Sequence, residues 1–284
     1  MTQTIALIGH PVAHSISPAF QQAALDALGI DARYEAWDTP AEALAATAER
    51  LRSATLLGAN VTVPHKVAML RFIDSPDATV ERVGALNTIV RRDSRLHATN
   101  TDVLGILRAL QAAGVDPRDK RVLLLGAGGA ARAVVVAMRQ AGASALTIAN
   151  RTPERARALI LLGGTDLEVA TCPLEAGDPA LAAAMEATEL VVHSTSLGMR
   201  HGPDEQATPV PAELFHAGQV AFDLVYVPER TPFLRAAEAG GAQPVGGLAM
   251  LVHQGAESFR LWTGQAPPLE VMFEAARAAL AARA

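Results

Sequence analysis

The sequence predicts an α/β protein of two domains, and three observations carry that reading. Short apolar runs alternate with alanine-rich stretches of helical period along most of the chain, the rhythm of strands joined by helical crossovers. A linker of turn-forming residues at 114–119 precedes a second half of different character, which opens on Val122-Leu123-Leu124-Leu125. That run is apolar throughout, as suits a strand covered on both faces, so the second half reads as a doubly wound parallel sheet.

With 284 residues, half of them hydrophobic, the chain can bury one large or two ordinary cores. A formal charge of −5 and a pI near 5.9, with basic and acidic residues interspersed, argue against a nucleic-acid surface. No apolar run is long enough to span a bilayer, and Met1-Thr2-Gln3-Thr4 lacks the basic start of a signal peptide. The single cysteine, Cys172, excludes an intrachain disulfide and fits a reducing compartment, so a cytoplasmic protein is expected. Monomer and homodimer both stay open, because a partly apolar helix face can bury against its own chain or another.

In chain order, residues 5–9 read as a first buried strand. The pair Ser17-Pro18 caps a helix over 19–28 that stops at Gly29, with Ser17 as the N-cap. A strand at 34–37 and a helix at 41–52 follow. In Asn60-Val61-Thr62-Val63 the alternation places Asn60 and Thr62 on one face of a strand over 59–63 and the valines on the other. Pro64 then suits the first turn of a helix beginning near His65, which seats Lys66 against the positive end of the helix dipole, a placement that lowers its proton affinity. Two strands, 84–91 and 95–99, meet at a polar turn, Asp93-Ser94, and close the first domain near residue 104. A helix over 103–113 leads out of it.

In the second half Gly126-Ala127-Gly128-Gly129-Ala130-Ala131 follows the strand 122–125 and precedes a helix over 133–140. This is G-x-G-x-x-A in the strand-turn-helix setting of a dinucleotide site. Gly126 permits the tight turn, Gly128 lets the backbone approach a pyrophosphate, and Ala131 keeps the helix close to the sheet. Further strands are expected at 145–149, 169–170, 190–193 and 220–224. The first of these strands ends on Asn150-Arg151-Thr152, where an NAD site would place a carboxylate for the ribose hydroxyls. Arg151, supported by Arg155 one turn along, offers a planar fork to a 2′-phosphate instead, so NADP is predicted over NAD. Helices over 248–262 and 268–282 end the chain.

A second cluster lies in the first domain. Ser15 and Ser17, in a loop after the first strand, join Asn60, Thr62, Lys66, Asn87 and Asn100-Thr101-Asp102 as neutral donors, one cation and one carboxylate, a set suited to a small polyhydroxylated acid. These stretches, with His14-Ser15-Ile16-Ser17-Pro18, Asn60 to Lys66, Gly84-Ala85-Leu86-Asn87-Thr88, the glycine turn, Asp223-Leu224-Val225-Tyr226 and Gly247 to Gln254, resemble the shikimate dehydrogenase family from end to end. The resemblance implies a Rossmann-like cofactor domain over 105–246 and a substrate domain over 1–104 completed by helices of 247–284. It further implies NADPH-dependent reduction of 3-dehydroshikimate to shikimate, without a metal.

By the same resemblance Lys66 and Asp102 are the catalytic pair, and Ser15 and Ser17 hold the substrate carboxylate. Asn60, Thr62, Asn87, Tyr226 and Gln254 contact its hydroxyls or carboxylate. Leu224, Gly247 and Met250 border the nicotinamide, and Thr195 and Ser196 follow the strand flanking the cofactor. The chain departs from the family pattern at Phe20-Gln21, where His-Asn is common, and at His193, Val227 and Ala249, in place of Asn, Asn and Gly. Two rival readings stand beside this one: a paralogue acting on quinate or an amino-substituted shikimate, and a silent nucleotide or metabolite sensor.

Overall fold

A computed structural model describes residues 2–200 and 202–283; Met1 and Ala284, which end the expected domain spans, lie outside the described residues. The chain divides into two compact units, Met1–Gly105 with Leu251–Ala284, and Ile106–Met250.

The first unit begins with β1 (Gln3–Gly9), α1 (Ser17–Ala27), β2 (Ala32–Asp38), α2 (Leu44–Arg50) and β3 (Leu56–Val61). It continues through β4 (Ser75–Pro76), α3 (Ala78–Val83), β5 (Thr88–Arg92), β6 (Arg95–Thr99) and the start of α4 (Asp102–Ala112). The six strands form one mixed sheet in the order β2-β1-β3-β5-β6-β4. β1 runs parallel to both neighbours, whereas β5 is antiparallel to β3 and β6. The tight turn joining β5 to β6 places Asp93 and Ser94 at positive φ, 50° and 61°, the twist that matches a two-residue hairpin. Neither β4 nor α3 was expected from the sequence; a two-residue strand and a six-residue helix fall below what periodicity resolves.

The second unit contains β7 (Arg121–Leu125), α5 (Gly129–Ala141), β8 (Ala145–Asn150), α6 (Pro153–Ile160), β9 (Glu168–Pro173) and α7 (Pro179–Ala187). β10 (Leu190–His193), β11 (Val220–Asp223), α8 (Pro232–Ala239) and β12 (Gln243–Val245) follow. All six strands are parallel, in the order β12-β11-β10-β7-β8-β9, so the strand order reverses at β7. Such a reversal opens a crevice at the carboxyl ends of the central strands, the place where doubly wound sheets take ligands. Leu123, Leu124 and Leu125 are fully buried there, as their uninterrupted apolar run requires.

The last two helices, α9 (Leu248–Thr263) and α10 (Leu269–Ala281), carry the chain back to the first unit. The Trp262 indole of α9 donates to the Ile89 carbonyl of β5 at 2.9 Å and stands 6.1 Å from the Tyr34 ring. Gly58 of β3 leaves room for that contact: a Cβ there would lie 2.0 Å from the Ile89 oxygen and 2.7 Å from the indole nitrogen. Gly58→Ala should therefore destabilise the protein by about 3 kcal/mol, the upper range for overpacking against backbone, measured by urea unfolding. A loss under about 0.5 kcal/mol would show that the indole gives way freely.

Cys172 is half-buried on β9; burial, with the Asp178 charge, pushes its thiol up to about 11. The thiolate is the reactive form, so at pH 8 iodoacetamide should label Cys172 about a hundredfold more slowly than an ordinary exposed thiol, and the rate should climb toward pH 11. Labelling as fast as free cysteine would contradict that setting.

Candidate active site

Around Lys66 the structure corrects the sequence reading. β3 ends at Val61, so Thr62 and Val63 lie beyond it, and Val63 is 69% exposed where a strand residue was expected. Pro64 stands in a turn, and the nearest helical segment is a 3₁₀ turn over Ala68–Phe72. Lys66 consequently does not sit at the start of a helix of its own segment. The reason lies in two tertiary contacts. The buried His65 ring is drawn onto the Thr39 carbonyl at 2.6 Å. The Lys66 carbonyl, which a helix would commit to the amide four residues on, accepts from the Leu86 N–H at 2.9 Å.

The helix start belongs to the partner. Asp102 is the first residue of α4, where a negative charge meets the positive end of the dipole, and its amide donates to Asn100 Oδ1 at 3.0 Å. Asn100 is itself anchored, donating from Nδ2 to the Ala85 carbonyl at 2.9 Å. Asp102 Oδ2 pairs with Lys66 Nζ; the two side chains are 5% and 16% exposed, the lysine having more access to solvent. A buried pair of this kind holds its geometry because separating it strands an uncompensated charge.

Asn87 organises the groups around that pair. Its Nδ2 lies 2.9 Å from Thr101 Oγ1, 2.9 Å from Asp102 Oδ1 and 3.0 Å from Gln254 Oε1. An amide nitrogen has two hydrogens, so at most two of these three oxygens accept from it at once, while the Thr101 hydroxyl lies 3.1 Å from Asn87 Oδ1 and can donate there. Gln254 Nε2 donates one of its two hydrogens to the Leu251 carbonyl at 2.8 Å.

The remaining expected substrate contacts are placed as follows. Asn60 is buried and engaged on both sides, accepting from Tyr34 Oη at 2.7 Å and donating within reach of the Asn87 carbonyl, Thr88 Oγ1 and Ser258 Oγ at 3.0–3.2 Å. Thr62 is half-buried, its amide on the Ile8 carbonyl at 2.8 Å. Ser15 and Ser17 are buried together, the Ser17 amide donating to Ser15 Oγ at 3.2 Å. Ser17 is not the N-cap that the sequence suggests. It lies within α1, Ile16 holds the cap position, and no side chain caps the helix. Tyr226 is half-buried in the second unit.

In the second unit α5 starts at Gly129, four residues before the expected start, with Gly128 at the cap position and no side-chain cap. The first-turn amides, Gly129 and Ala130 among them, have no partner within the helix, and the dipole adds positive potential in front of them. A Cβ on Gly128 would meet nothing within 4 Å, which is the open approach a pyrophosphate needs. Ala127 is half-buried beside Gly126, whose φ of 110° is left-handed and whose missing side chain admits Ser194 and Thr195, both within 3.0 Å of a Cβ built there. Behind the turn, Arg132 is held below the ordinary guanidinium range by burial.

At the end of β8 the Asn150 amide donates to the Thr152 carbonyl at 2.8 Å, and Thr152 is the cap residue of α6. Arg151 and Arg155 are exposed, and among the described residues neither side chain has a partner. Ser196 is exposed and Leu224 half-buried, while Met250 is buried in the first turn of α9. Gly247 packs onto the Asp223, Leu224 and Val225 carbonyls, each 2.8 Å from a Cβ built on it.

Sequence reasoning missed Tyr34 and Ser258, which hold Asn60, and the buried pairing of His193 with Asp223 at 2.9 Å. Ser258 carried a signal, four residues from Gln254 on one helix face. The His193–Asp223 register needed the β10–β11 pairing itself.

Known proteins share this layout. Residues 7–89 match the family described as the shikimate dehydrogenase substrate binding domain, 108–201 the shikimate / quinate 5-dehydrogenase family and 247–277 the shikimate 5'-dehydrogenase C-terminal domain. The shikimate dehydrogenase (NADP(+)) of Moorella thermoacetica is 46% identical over 282 residues, 99% of this chain and 95% of that protein. One from Thermus thermophilus is 46% identical over 275 residues, 97% of this chain and 98% of its own. A crystal structure of a Thermus thermophilus shikimate 5-dehydrogenase in complex with NADP(H) and shikimate superposes with a TM-score of 0.87 at 45% identity, covering 98% of this chain and 100% of that one. Similarity at this level along nearly the whole length, with the three matched regions in chain order, means that the chain belongs to the shikimate dehydrogenase family.

Proposed function

We propose that this chain catalyses the reversible NADPH-dependent reduction of 3-dehydroshikimate to shikimate, a step of aromatic amino-acid biosynthesis. The observation that carries the reading is the Lys66–Asp102 pair set beside the polar cluster of Asn87, Thr101 and Gln254. A cation that can give up a proton, a carboxylate that steadies it and neighbouring amides and a hydroxyl that can bond a polyol suit reduction of a ketone flanked by hydroxyls. Residues 1–104, completed by 247–284, act as the substrate domain, and 105–246 as the cofactor domain. A cytoplasmic location fits the lone, half-buried cysteine.

The groups present fit the cofactor. The uncapped start of α5 and the open face of Gly128 suit its pyrophosphate, and the unpartnered Arg151 and Arg155 suit a 2′-phosphate. When bound, NADPH supplies the hydride. Lys66 Nζ delivers the proton that the reduced carbonyl oxygen requires, and solvent restores it through the more exposed side of the pair. Asp102 aims the ammonium and receives the neighbouring hydroxyl, while Asn87 holds Asp102 Oδ1 in place. Ser15 and Ser17 at the start of α1 take the carboxylate, with Asn60, Thr62, Tyr226 and Gln254 lining the ring.

Lys66→Ala should lower kcat by about 10²-fold or more while NADPH binding stays within twofold, because general acid catalysis contributes about 10²–10⁴-fold. Consumption of NADPH with 3-dehydroshikimate, and shikimate oxidation run beside quinate, read this directly; near-normal turnover in the variant would disprove the role. Replacing both Arg151 and Arg155 by alanine should raise the KM for NADPH about tenfold or more and leave that for NADH unchanged, since only the 2′-phosphate loses its partners. Equal losses with both cofactors would place the phosphate elsewhere.

A further inference from the structure

The buried His193 of β10 belongs to none of the groups assigned above, and its environment is built for one purpose. Its ring is fully buried, packs 4.9 Å from the Phe233 ring and bonds at both nitrogens. Nδ1 lies 2.9 Å from Asp223 Oδ1, and Nε2 lies 2.6 Å from Thr195 Oγ1. Asp223, also fully buried, accepts the Val225 amide on Oδ1 at 2.9 Å and the Thr231 hydroxyl on Oδ2 at 2.5 Å. A carboxylate already accepting on both oxygens leaves His193 Nδ1 as a donor, so in the neutral ring Nε2 is the acceptor and the Thr195 hydroxyl gives its proton to it. Thr195 Oγ1 in turn accepts the Leu197 amide at 3.2 Å, which folds the loop after β10 back on itself.

The two ends of this chain of hydrogen bonds both touch cofactor elements. Thr195 packs against Gly126, the first glycine of the turn, and the Asp223 carbonyl lies under Gly247. The Leu224 amide also donates to the His193 carbonyl at 3.0 Å. We propose that His193 is a positioning residue of the cofactor site: oriented by Asp223, it fixes the Thr195 hydroxyl inward and so sets the loop 194–198 against the glycine turn. Thr195 then acts as a brace and not as a donor to the cofactor, which leaves Ser196 as the outward hydroxyl of the loop. The proposal rests on the NADP reading above and adds a residue and a direction of hydrogen bonding to it.

A double-mutant cycle on the full chain tests it, read as the NADPH dissociation constant from cofactor fluorescence, with kcat, the KM for 3-dehydroshikimate and the unfolding temperature measured alongside. His193→Phe keeps the ring and loses both nitrogens; Thr195→Val keeps the shape and loses the hydroxyl. Each should weaken NADPH binding about tenfold, the scale of one well-placed hydrogen bond, and the double variant should be no worse than either single. The KM for 3-dehydroshikimate and kcat at saturating NADPH should stay within about twofold. His193→Gln, whose amide can both donate to Asp223 and accept from Thr195, should recover part of the affinity. The positioning role fails if wild-type affinity survives in His193→Phe, if the two losses add, or if the KM for 3-dehydroshikimate rises in step with that for NADPH. Should His193→Phe not fold, Thr195→Val and His193→Gln decide the matter by the same affinities. A wild-type chain that binds no NADPH would overturn the functional reading as well, whereas normal wild-type binding with unaffected variants removes only the positioning role.

Discussion

The side-chain amide of Asn87 faces three acceptors with two hydrogens, and its own oxygen accepts the Thr101 amide at 2.8 Å and lies 3.0 Å from Thr88 Oγ1. Through those contacts one residue ties β5 to the start of α4 and to α9, elements far apart in sequence. The buried pair of Lys66 and Asp102 depends on it, because Asp102 Oδ1 would otherwise be an unsatisfied carboxylate oxygen nearly out of reach of water. The layer beneath is polar as well. Asn60, Thr88, Thr101 and Ser258 bond to one another at 2.7–3.3 Å, so the floor of the site is a hydrogen-bonded lattice with few free donors. Such a lattice is rigid when fully paired, and rigidity is what a site needs to hold a small polyol in one orientation.

The second unit meets a different demand with different means. A pyrophosphate needs backbone, not side chains, so the chain clears space with Gly126 and Gly128 and leaves α5 uncapped. The cost of those orphan amides is recovered when an anion binds. On the neighbouring strands the buried His193–Asp223–Thr231 group does the opposite, satisfying its polar atoms inside a core where the Phe233 ring packs on the histidine. An unpaired histidine or aspartate there would be expensive, and their mutual bonding turns a liability into a fixed support for the loop that follows β10.

Much of this is legible in the residues alone. The glycine turn, the hairpin at Asp93-Ser94, the all-apolar β7 and the order of strands and helices are local or periodic features, set by backbone sterics and by which faces are covered. Lys66 stands out in the sequence for a partly mistaken reason. Alternation and Pro64 read as a strand running into a helix, while the Leu86 amide and the Thr39 carbonyl pull the segment into a turn instead. The error is one of setting, not of residue, and it moves the helix terminus from Lys66 to its partner Asp102.

What the sequence by itself determined was the α/β class, the dinucleotide turn and the set of polar residues placed at strand ends, because each follows from conformational preference within a dozen residues. Only the tertiary structure decided which of those residues meet. Asn87 reaches Gln254 across 167 positions and Asn60 reaches Ser258 across 198, and no local preference encodes such pairings. They arise when the sheet order sets strand neighbours and the C-terminal helices return to the first unit, so the direction of each hydrogen bond in the site is a property of the packed chain.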